Sequence, residues 1–208
     1  MLALLHTSPV HVPVFDALRD AEHPGLALRH LIDEDLLGRA RAEGPEAVAA
    51  EVESVLAAAV TDGATAVLCT CSTLGAVAEK TGPGLGVPVL RVDRPMAAVA
   101  AASGRVVVVA ALESTLEPTA ALIREEAAGR PVDLRTVLVE AAWERFEAGD
   151  RDGYLDAVAG AVDAVTRADV IVLAQASMAG AERRTSTAIP VLSSPRPGLN
   201  AAARAAAR

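Results

Sequence analysis

The sequence predicts an α/β protein built from two related halves, each with a parallel sheet covered by helices. Short apolar runs alternate with stretches of helical spacing along the chain, which is the pattern of strands joined by helical crossovers. Of its 208 residues, 52% are hydrophobic and only 2% are aromatic. The core must therefore consist of Ala, Val and Leu, which suits helices that pack on parallel strands.

The first half contains four predicted strands, each an apolar run bounded by turn-forming residues. They cover residues 1–5, 26–32, 64–70 and 87–90. Helices are predicted at 13–20, 44–61 and 94–102, and one more is predicted to follow the turn at 71–73. Proline near the start and glycine after the end support the first two helices. The glycine-rich stretch 82–86 precedes a strand, so we predict a loop there and not a phosphate-binding turn.

Ser103-Gly104 interrupts the chain, and the pattern of strands and helices then starts again. Predicted strands of the second half cover 105–110, 132–139, 169–174 and 189–192. Predicted helices cover 118–128, 152–167 and 200–208. This alternation again indicates a parallel sheet with helical crossovers.

The second half repeats the first at a nearly constant offset, which indicates an internal duplication. A shift of 105 residues places Ser72 on Ser177, and other identities follow in the same order. We therefore predict two pseudo-symmetric, flavodoxin-like halves, 1–100 and 101–197, with the last helix, 198–208, joined to the first half. Ligands of such sheets bind beyond the carboxyl ends of the strands, so the expected ligand cleft lies between the halves.

Polar side chains follow the first and third strands of the first half. His6 and Thr7 come after the first strand, and Cys71, Ser72 and Thr73 come after the third. Hydroxyls and free backbone N–H groups at the start of a helix form a site for an anion such as a carboxylate. A thiol there is expected to have a lowered pKa, which would make it a usable acid, base or nucleophile.

The corresponding positions of the second half are Glu113 and Thr115 after its first strand, and Ala176 and Ser177 after its third. These residues also have plainer interpretations. The serines could be simple helix N-caps, Glu113 could be a solvated loop acid, and His6 could be structural. Three arginines that follow the fourth strands could hold a second carboxylate or serve helix ends: Arg91, Arg94 and Arg196.

Charge and composition exclude several classes of partner. The net charge is −8 and Lys80 is the only lysine, so the chain has no basic stripe for nucleic acid. No apolar run reaches the roughly 20 residues that a membrane span needs, and the run 2–5 is too short for a signal peptide. The four histidines show no ligand spacing and there are two cysteines, so we expect no metal site and no disulfide scaffold. We expect a cytoplasmic protein.

The duplicated halves and the Cys-Ser-Thr turn at 71–73, with its counterpart at 176–178, resemble the aspartate/glutamate racemase superfamily. That group includes hydantoin racemase, maleate isomerase and arylmalonate decarboxylase. The resemblance implies a cofactor-independent enzyme, commonly a homodimer, that holds a small carboxylate between its halves. It also implies that one cysteine from each half faces the carbon acid, one removing a proton and the other returning it.

The resemblance assigns roles to five residues of this sequence. Cys71 matches the catalytic cysteine of the first half. Ser72, Thr73 and Ser177 match the small polar residues that hold the carboxylate or enolate oxygens. Thr115 lies where the family also has a ligand-binding hydroxyl.

Ala176 stands where the second cysteine of the family would be, and alanine cannot transfer a proton. Three hypotheses follow. One is an enzyme with Cys71 as its single thiol, including a decarboxylase of the arylmalonate type, in which loss of carbon dioxide creates the carbanion without a base. The second is a racemase or isomerase in which His6 or Glu113 is the other base, or in which the thiol adds to the substrate. The third is a carboxylate-binding member without turnover.

Overall fold

The structure is a computed structural model that describes all residues from Met1 to Arg208. It divides into two compact units, Met1–Asp93 with Pro195–Arg208, and Arg94–Ser194. Each unit contains one four-stranded parallel sheet with helices packed against it. The predicted fold class, α/β with two related parallel-sheet halves, is confirmed.

The strands of the first unit are β1 (Leu2–His6), β2 (Leu28–Ile32), β3 (Ala66–Cys69) and β4 (Val89–Arg91). Four of its helices are α1 (Val12–Glu22), α2 (Asp35–Glu43), α3 (Ala49–Thr61) and α4 (Gly75–Leu85). The strand order is β2-β1-β3-β4, and every pair is parallel. The carboxyl ends of the four strands therefore share one edge of the sheet.

The second unit repeats this arrangement. Its strands are β5 (Arg105–Ala110), β6 (Asp133–Leu138), β7 (Val170–Leu173) and β8 (Val191–Leu192), in the order β6-β5-β7-β8. Its helices are α5 (Arg94–Ala100), α6 (Leu116–Ala127), α7 (Glu140–Glu147) and α8 (Arg151–Asp163). Short 3-10 helices follow two strands, at Glu113–Thr115 and Ala176–Arg183. The equal strand orders show that the duplication read from the sequence is a duplication of structure.

The last helix, α9 (Pro195–Ala206), packs in the first unit. Gly198 allows this packing, because a Cβ built there would lie 2.6 Å from Cγ2 of Val92 and 2.5 Å from its carbonyl oxygen. None of the nine helices is long and apolar enough to cross a membrane.

Alternate residues of β1 enter two separate cores. Ala3 and Leu5 pack with side chains of α3 and α4, whereas Leu2 and Leu4 pack with Phe15 of α1 and with α9. Both faces of the strand are covered, so all five of its residues are buried. Burial on both faces explains the continuous apolar runs that made these strands visible in the sequence.

Two helices were not predicted, α2 and α7. Both are short and rich in charge, and each buries few side chains: Leu36 and Ala40 in α2, and Ala142 in α7. The narrow apolar stripe of α2 gives a weak periodic signal. Helix α7 has only eight residues, and Trp143 and Phe146 stabilise it by packing against the core of the second unit.

The loop predicted at 82–86 is wrong over most of its length, because α4 continues through it to Leu85. Pro83 lies inside the helix, and the helix ends at Gly86, which has a positive φ of 70°. A Cβ at Gly82 would lie 3.3 Å from Cβ of Val89, so the glycine permits close packing of α4 on β4. Tertiary packing here outweighs the helix-breaking tendency of proline and glycine.

Candidate active site

The paired ends of β1 and β3 position the candidate residues of the first unit. The register runs from Leu2 opposite Ala66 to Leu5 opposite Cys69. It continues beyond the ladder, because the Thr70 N–H donates to the Leu5 carbonyl oxygen at 2.9 Å. The same register places His6 opposite Thr70 and Thr7 opposite Cys71. Side chains alternate along a strand, so these two pairs lie on opposite faces of the sheet.

The Cys71 thiol lies at the end of β3 and is only 8% exposed. Burial raises the pKa of this thiol, and it outweighs the opposite effect of the Thr7 hydroxyl and the backbone N–H groups of Leu74 and Thr73. The prediction that the pKa of Cys71 is lowered is therefore wrong, because the net shift is upward. The N–H groups at the start of α4 act as predicted, but desolvation of the thiolate is the larger effect. At neutral pH the group is a protonated thiol surrounded by donors.

Ser72 and Thr73 are both 4% exposed and follow Cys71 into α4. The N-cap of α4 is Leu74, so the structure does not place either hydroxyl at the N-cap position. The Thr73 hydroxyl lies beside the Cys71 sulfur and lowers the pKa of the thiol, but it makes no hydrogen bond of normal geometry. A buried hydroxyl without such a bond is unusual, and it leaves a donor for a ligand oxygen next to the sulfur.

His6 is fully buried and both of its ring nitrogens are occupied. Nδ1 lies 2.7 Å from Oγ1 of Thr70, and Nε2 lies 2.8 Å from Nδ1 of His30. Its ring packs on Phe15, with the centroids 5.6 Å apart, on the face of the sheet opposite Thr7. Burial, together with the neighbouring His11 and His30, lowers the pKa of His6 to about 3. Neither nitrogen is open to a ligand, so the contacts fit the structural interpretation of His6.

Burial of neutral His6 predicts an acid-sensitive fold. In the unfolded chain His6 gains a proton below its ordinary pKa of about 6.5, whereas in the folded chain it stays neutral down to about pH 3. Stability from this residue is therefore complete above that ordinary pKa and decreases as pH falls toward the folded value. The loss between pH 7 and pH 5 is expected to be about 2 kcal/mol.

Urea unfolding of the wild type and of His6→Gln across this pH range measures the difference. The wild-type free energy of unfolding should fall more steeply than that of the variant. His23→Gln is the matched control, because His23 bonds Asn200 at 2.6 Å away from the His6 ring, and it should keep the wild-type slope. Equal slopes for wild type and His6→Gln would contradict the prediction.

In the second unit, Ser177 is half-buried and lies in the 3-10 helix that follows β7. Its Oγ lies 2.8 Å from the hydroxyl of Tyr154. Tyr154 is 1% exposed, and burial raises the pKa of its hydroxyl, so the tyrosine is neutral and can orient the serine. Sequence reasoning missed Tyr154, because its place on the apolar stripe of α8 indicates only core packing.

Thr115 and Glu113 lie after β5, as the sequence predicts, and differ in their surroundings. The Thr115 hydroxyl donates to the Leu112 carbonyl oxygen at 2.7 Å, so its proton is committed to the backbone. Glu113 is exposed. A residue that the sequence did not single out, Gln175, accepts from the N–H groups of Ala111 and Leu112 at 2.7 and 3.1 Å. The amide fixes the end of β5 beside β7.

The three arginines considered for a second carboxylate all form ion pairs within the protein. Arg91 makes a buried bidentate pair with Asp93, at 2.7 and 2.9 Å. Gly75 leaves room for this guanidinium, because a Cβ there would lie 2.8 Å from Nε of Arg91. The other two pairs are Arg94 with Glu125 and Glu126, and Arg196 with Glu22. These contacts favour structural roles.

Ala176 is 6% exposed at the end of β7, at the position that the duplication relates to Cys71. No group of three or more His, Cys, Asp or Glu side chains is arranged to hold a metal ion. The polar groups of the candidate site in the first unit are thus one thiol, the hydroxyls around it and the backbone N–H groups at the start of α4.

The fold and these strand-end groups define a duplicated parallel α/β protein in which the Cys71 thiol lies just beyond the end of a central strand. The chain belongs to the Asp/Glu/Hydantoin racemase family, whose sequence profile matches residues 12–204. A search of curated protein sequences finds no significant match. The family predicted from the duplicated halves and the turns at 71–73 and 176–178 is confirmed.

Solved structures with the same fold include racemases and a decarboxylase. Glutamate racemase from Thermus thermophilus, in complex with β-chloro-D-alanine, is 20% identical with a TM-score of 0.69, covering 98% of this chain and 79% of that chain. Aspartate racemase from Picrophilus torridus is 14% identical with a TM-score of 0.70, covering 99% and 94%. Arylmalonate decarboxylase is 20% identical with a TM-score of 0.61, covering 99% and 92%. At these identities the likeness is one of fold.

Proposed function

We propose that the protein is a cofactor-independent enzyme that acts at the carbon next to the carboxylate of a small acid, with Cys71 as its single proton-transferring thiol. The observation that carries this proposal is the surroundings of Cys71. Its buried thiol is flanked by the Thr7 and Thr73 hydroxyls and by the N–H groups that start α4. Such donors stabilise negative charge on an enolate or carboxylate oxygen.

The protonated state of the thiol favours the role of a proton donor. Burial raises the pKa of Cys71, so a reaction that begins with a thiolate base must first remove this proton. Ala176 offers no second acid or base at the related position. A reaction that creates its carbanion without a base is compatible with a protonated Cys71 and with the absence of a second base at residue 176. Decarboxylation of a malonate is such a reaction.

In the proposed reaction a malonate loses carbon dioxide, and the Cys71 thiol is the only acid that the reaction needs. The bond between the α-carbon and one carboxylate breaks, carbon dioxide leaves, and the electron pair remains as an enolate of the other carboxylate. Cys71 then gives its proton to the α-carbon, and the thiolate regains a proton from water. The family membership and the likeness to arylmalonate decarboxylase support this reaction, and proton transfer by one positioned group typically contributes about 10²–10⁴-fold to the rate.

A panel of small acids tests the proposed activity. Aryl and alkyl α-methylmalonates are assayed for release of carbon dioxide, and aspartate, glutamate and hydantoins are assayed for α-proton exchange in deuterated water. We expect turnover of at least one malonate. Thermal stabilisation by panel members without carbon dioxide release and without exchange would contradict an enzyme and favour the carboxylate-binding hypothesis.

A further inference from the structure

Four side chains of the first unit are joined end to end by hydrogen bonds, and we call them the histidine row: Asp16, His30, His6 and Thr70. Oδ1 of Asp16 lies 3.3 Å from Nε2 of His30. Nδ1 of His30 lies 2.8 Å from Nε2 of His6, and Nδ1 of His6 lies 2.7 Å from Oγ1 of Thr70. The Thr70 hydroxyl also lies 2.9 Å from the Leu5 carbonyl oxygen. The row therefore crosses from α1 over β2 and β1 to the end of β3.

The chemistry of the two ends limits where the hydrogens can be. A carboxylate only accepts, so Nε2 of His30 must carry a hydrogen toward Asp16. His6 is buried and neutral, so its ring carries one hydrogen and has one accepting nitrogen. The Thr70 hydroxyl has a single hydrogen, which goes either to His6 or to the Leu5 carbonyl oxygen.

Only two arrangements satisfy these limits, and they differ by one proton. With His30 neutral, its Nδ1 accepts from His6 Nε2–H, and His6 Nδ1 accepts from the Thr70 hydroxyl. With His30 charged, its Nδ1–H donates to His6 Nε2. His6 then carries its hydrogen on Nδ1 and donates to Thr70, whose hydroxyl donates to the Leu5 carbonyl. All three bonds of the row are retained, but two of them, His30–His6 and His6–Thr70, reverse their direction. The Thr70 hydroxyl bonds the Leu5 carbonyl oxygen only when His30 is charged.

Solvent can reach one end of the histidine row. The side chain of His30 is 15% exposed and that of Asp16 is 39% exposed, whereas His6 and Thr70 are buried. The charged and titratable groups around the rings are Asp16 and Arg19 of α1, which pair at 3.2 Å, and His11, whose ring centroid lies 6.0 Å from that of His6. A proton that binds His30 can therefore change the hydrogen bonds of the buried His6 and Thr70, although that proton itself stays on His30.

We propose that His30 is a pH-responsive positioning residue for the strand end that carries Cys71. When it takes up one proton, His6 changes from its Nε2–H to its Nδ1–H tautomer and the Thr70 hydroxyl turns from His6 to the Leu5 carbonyl. His6 and Thr70 immediately precede Thr7 and Cys71 on the same two strands, so a changed bond on one face alters the pair on the other face. The switch of the His6 tautomer and of the Thr70 hydroxyl does not depend on the proposed function. Only its effect on catalysis rests on that function.

The second unit has no counterpart that titrates. At the position related to Thr70 it has Gln175, whose amide oxygen accepts from the N–H groups of Ala111 and Leu112. An amide keeps its hydrogens at all ordinary pH values, so this strand end is fixed. The titratable row of hydrogen bonds therefore lies in the thiol-bearing unit.

Nitrogen-15 spectra of the histidine rings in the full-length protein test the switch without any substrate. The four rings are assigned with single His→Gln variants, and long-range proton–nitrogen correlations are recorded between about pH 8 and pH 5. As His30 becomes doubly protonated, the N–H and lone-pair signals of His6 should exchange between its two nitrogens with the same midpoint. His30→Gln should hold His6 in one tautomer, and the control His23→Gln should leave the switch intact. A single His6 tautomer while His30 titrates, or a doubly protonated His6, would overturn the proposal.

The effect on the thiol is read from the rate of Cys71 alkylation by iodoacetamide, with the modified cysteine located by fragmentation of the peptide. For an independent thiol the rate follows the thiolate fraction, so its logarithm rises with unit slope below the thiol pKa. We expect the wild type to depart from this slope at the His30 midpoint and His30→Gln to follow it throughout. Identical profiles for the two proteins would overturn the positioning role even if the tautomer switch is found, and neither readout depends on turnover.

Discussion

Cys71→Ser is expected to lower the rate of turnover by roughly 10²–10⁴-fold, the usual contribution of one positioned acid or base. Serine keeps the size and position of the side chain, but its hydroxyl is a far weaker acid than a thiol and does not give a proton readily to carbon. The effect should appear in kcat, because the hydroxyls and N–H groups that surround residue 71 remain to bind the substrate.

A second cysteine of the same strand provides the control. Cys69 is fully buried, and its thiol donates to the Cys71 carbonyl oxygen at 3.6 Å, so it is held in the protein interior. Cys69→Ala should keep most of the activity. Thermal unfolding of both variants shows whether the fold is intact. Activity of a folded Cys71→Ser protein within a few-fold of wild type would remove the thiol from the mechanism.

Ala176→Cys is expected to create racemisation that the wild type lacks. The duplication relates Ala176 to Cys71, and Ala176 is buried at the end of the corresponding strand of its own unit. The missing thiol is expected to be what prevents proton transfer on both faces. A cysteine at position 176 should then racemise a chiral α-substituted acid up to about 10²–10⁴-fold faster than the wild type does. The increase should require both thiols, so it should vanish when Cys71→Ser is added.

Ala179→Cys is the matched control, since it adds a thiol to the same 3-10 helix. Optical purity and deuterium content of the acid are followed together in deuterated water. Exchange on both faces by the wild type would reveal a second base and contradict a one-thiol enzyme. If an Ala176→Cys protein folds but racemises the acid no faster than the Ala179→Cys control does, residue 176 does not reach the reacting carbon.

The sequence predicted the sheets well, because parallel strands covered on both faces are continuous apolar runs. The strand β5 was predicted at 105–110, where the structure has Arg105–Ala110. The shift between the halves predicted the duplication that the equal strand orders show. Prediction was poor where few residues decide the structure. Helix α2 is stabilised by interior contacts of Leu36 and Ala40, which the sequence pattern does not indicate. Gly82 and Pro83 favour a loop, so the last turn of α4 was not predicted.

For the candidate site, the chain order identified groups at strand ends but not the contacts between distant segments. Thr7 and Cys71 follow paired parallel strands, so topology alone brings them together. His30 lies within β2 and Tyr154 within α8, where sequence patterns indicate only packing. The pKa of Cys71 was expected in the wrong direction, because desolvation depends on how completely the folded chain covers the sulfur.

The central claim is that one thiol, Cys71, delivers the proton to carbon. The most direct test is the product that the wild type forms from an α-methylmalonate in deuterated water. One enantiomer with a single deuterium at the α-carbon is the predicted result. A racemic product, or deuterium entering both faces of that carbon, would contradict the claim.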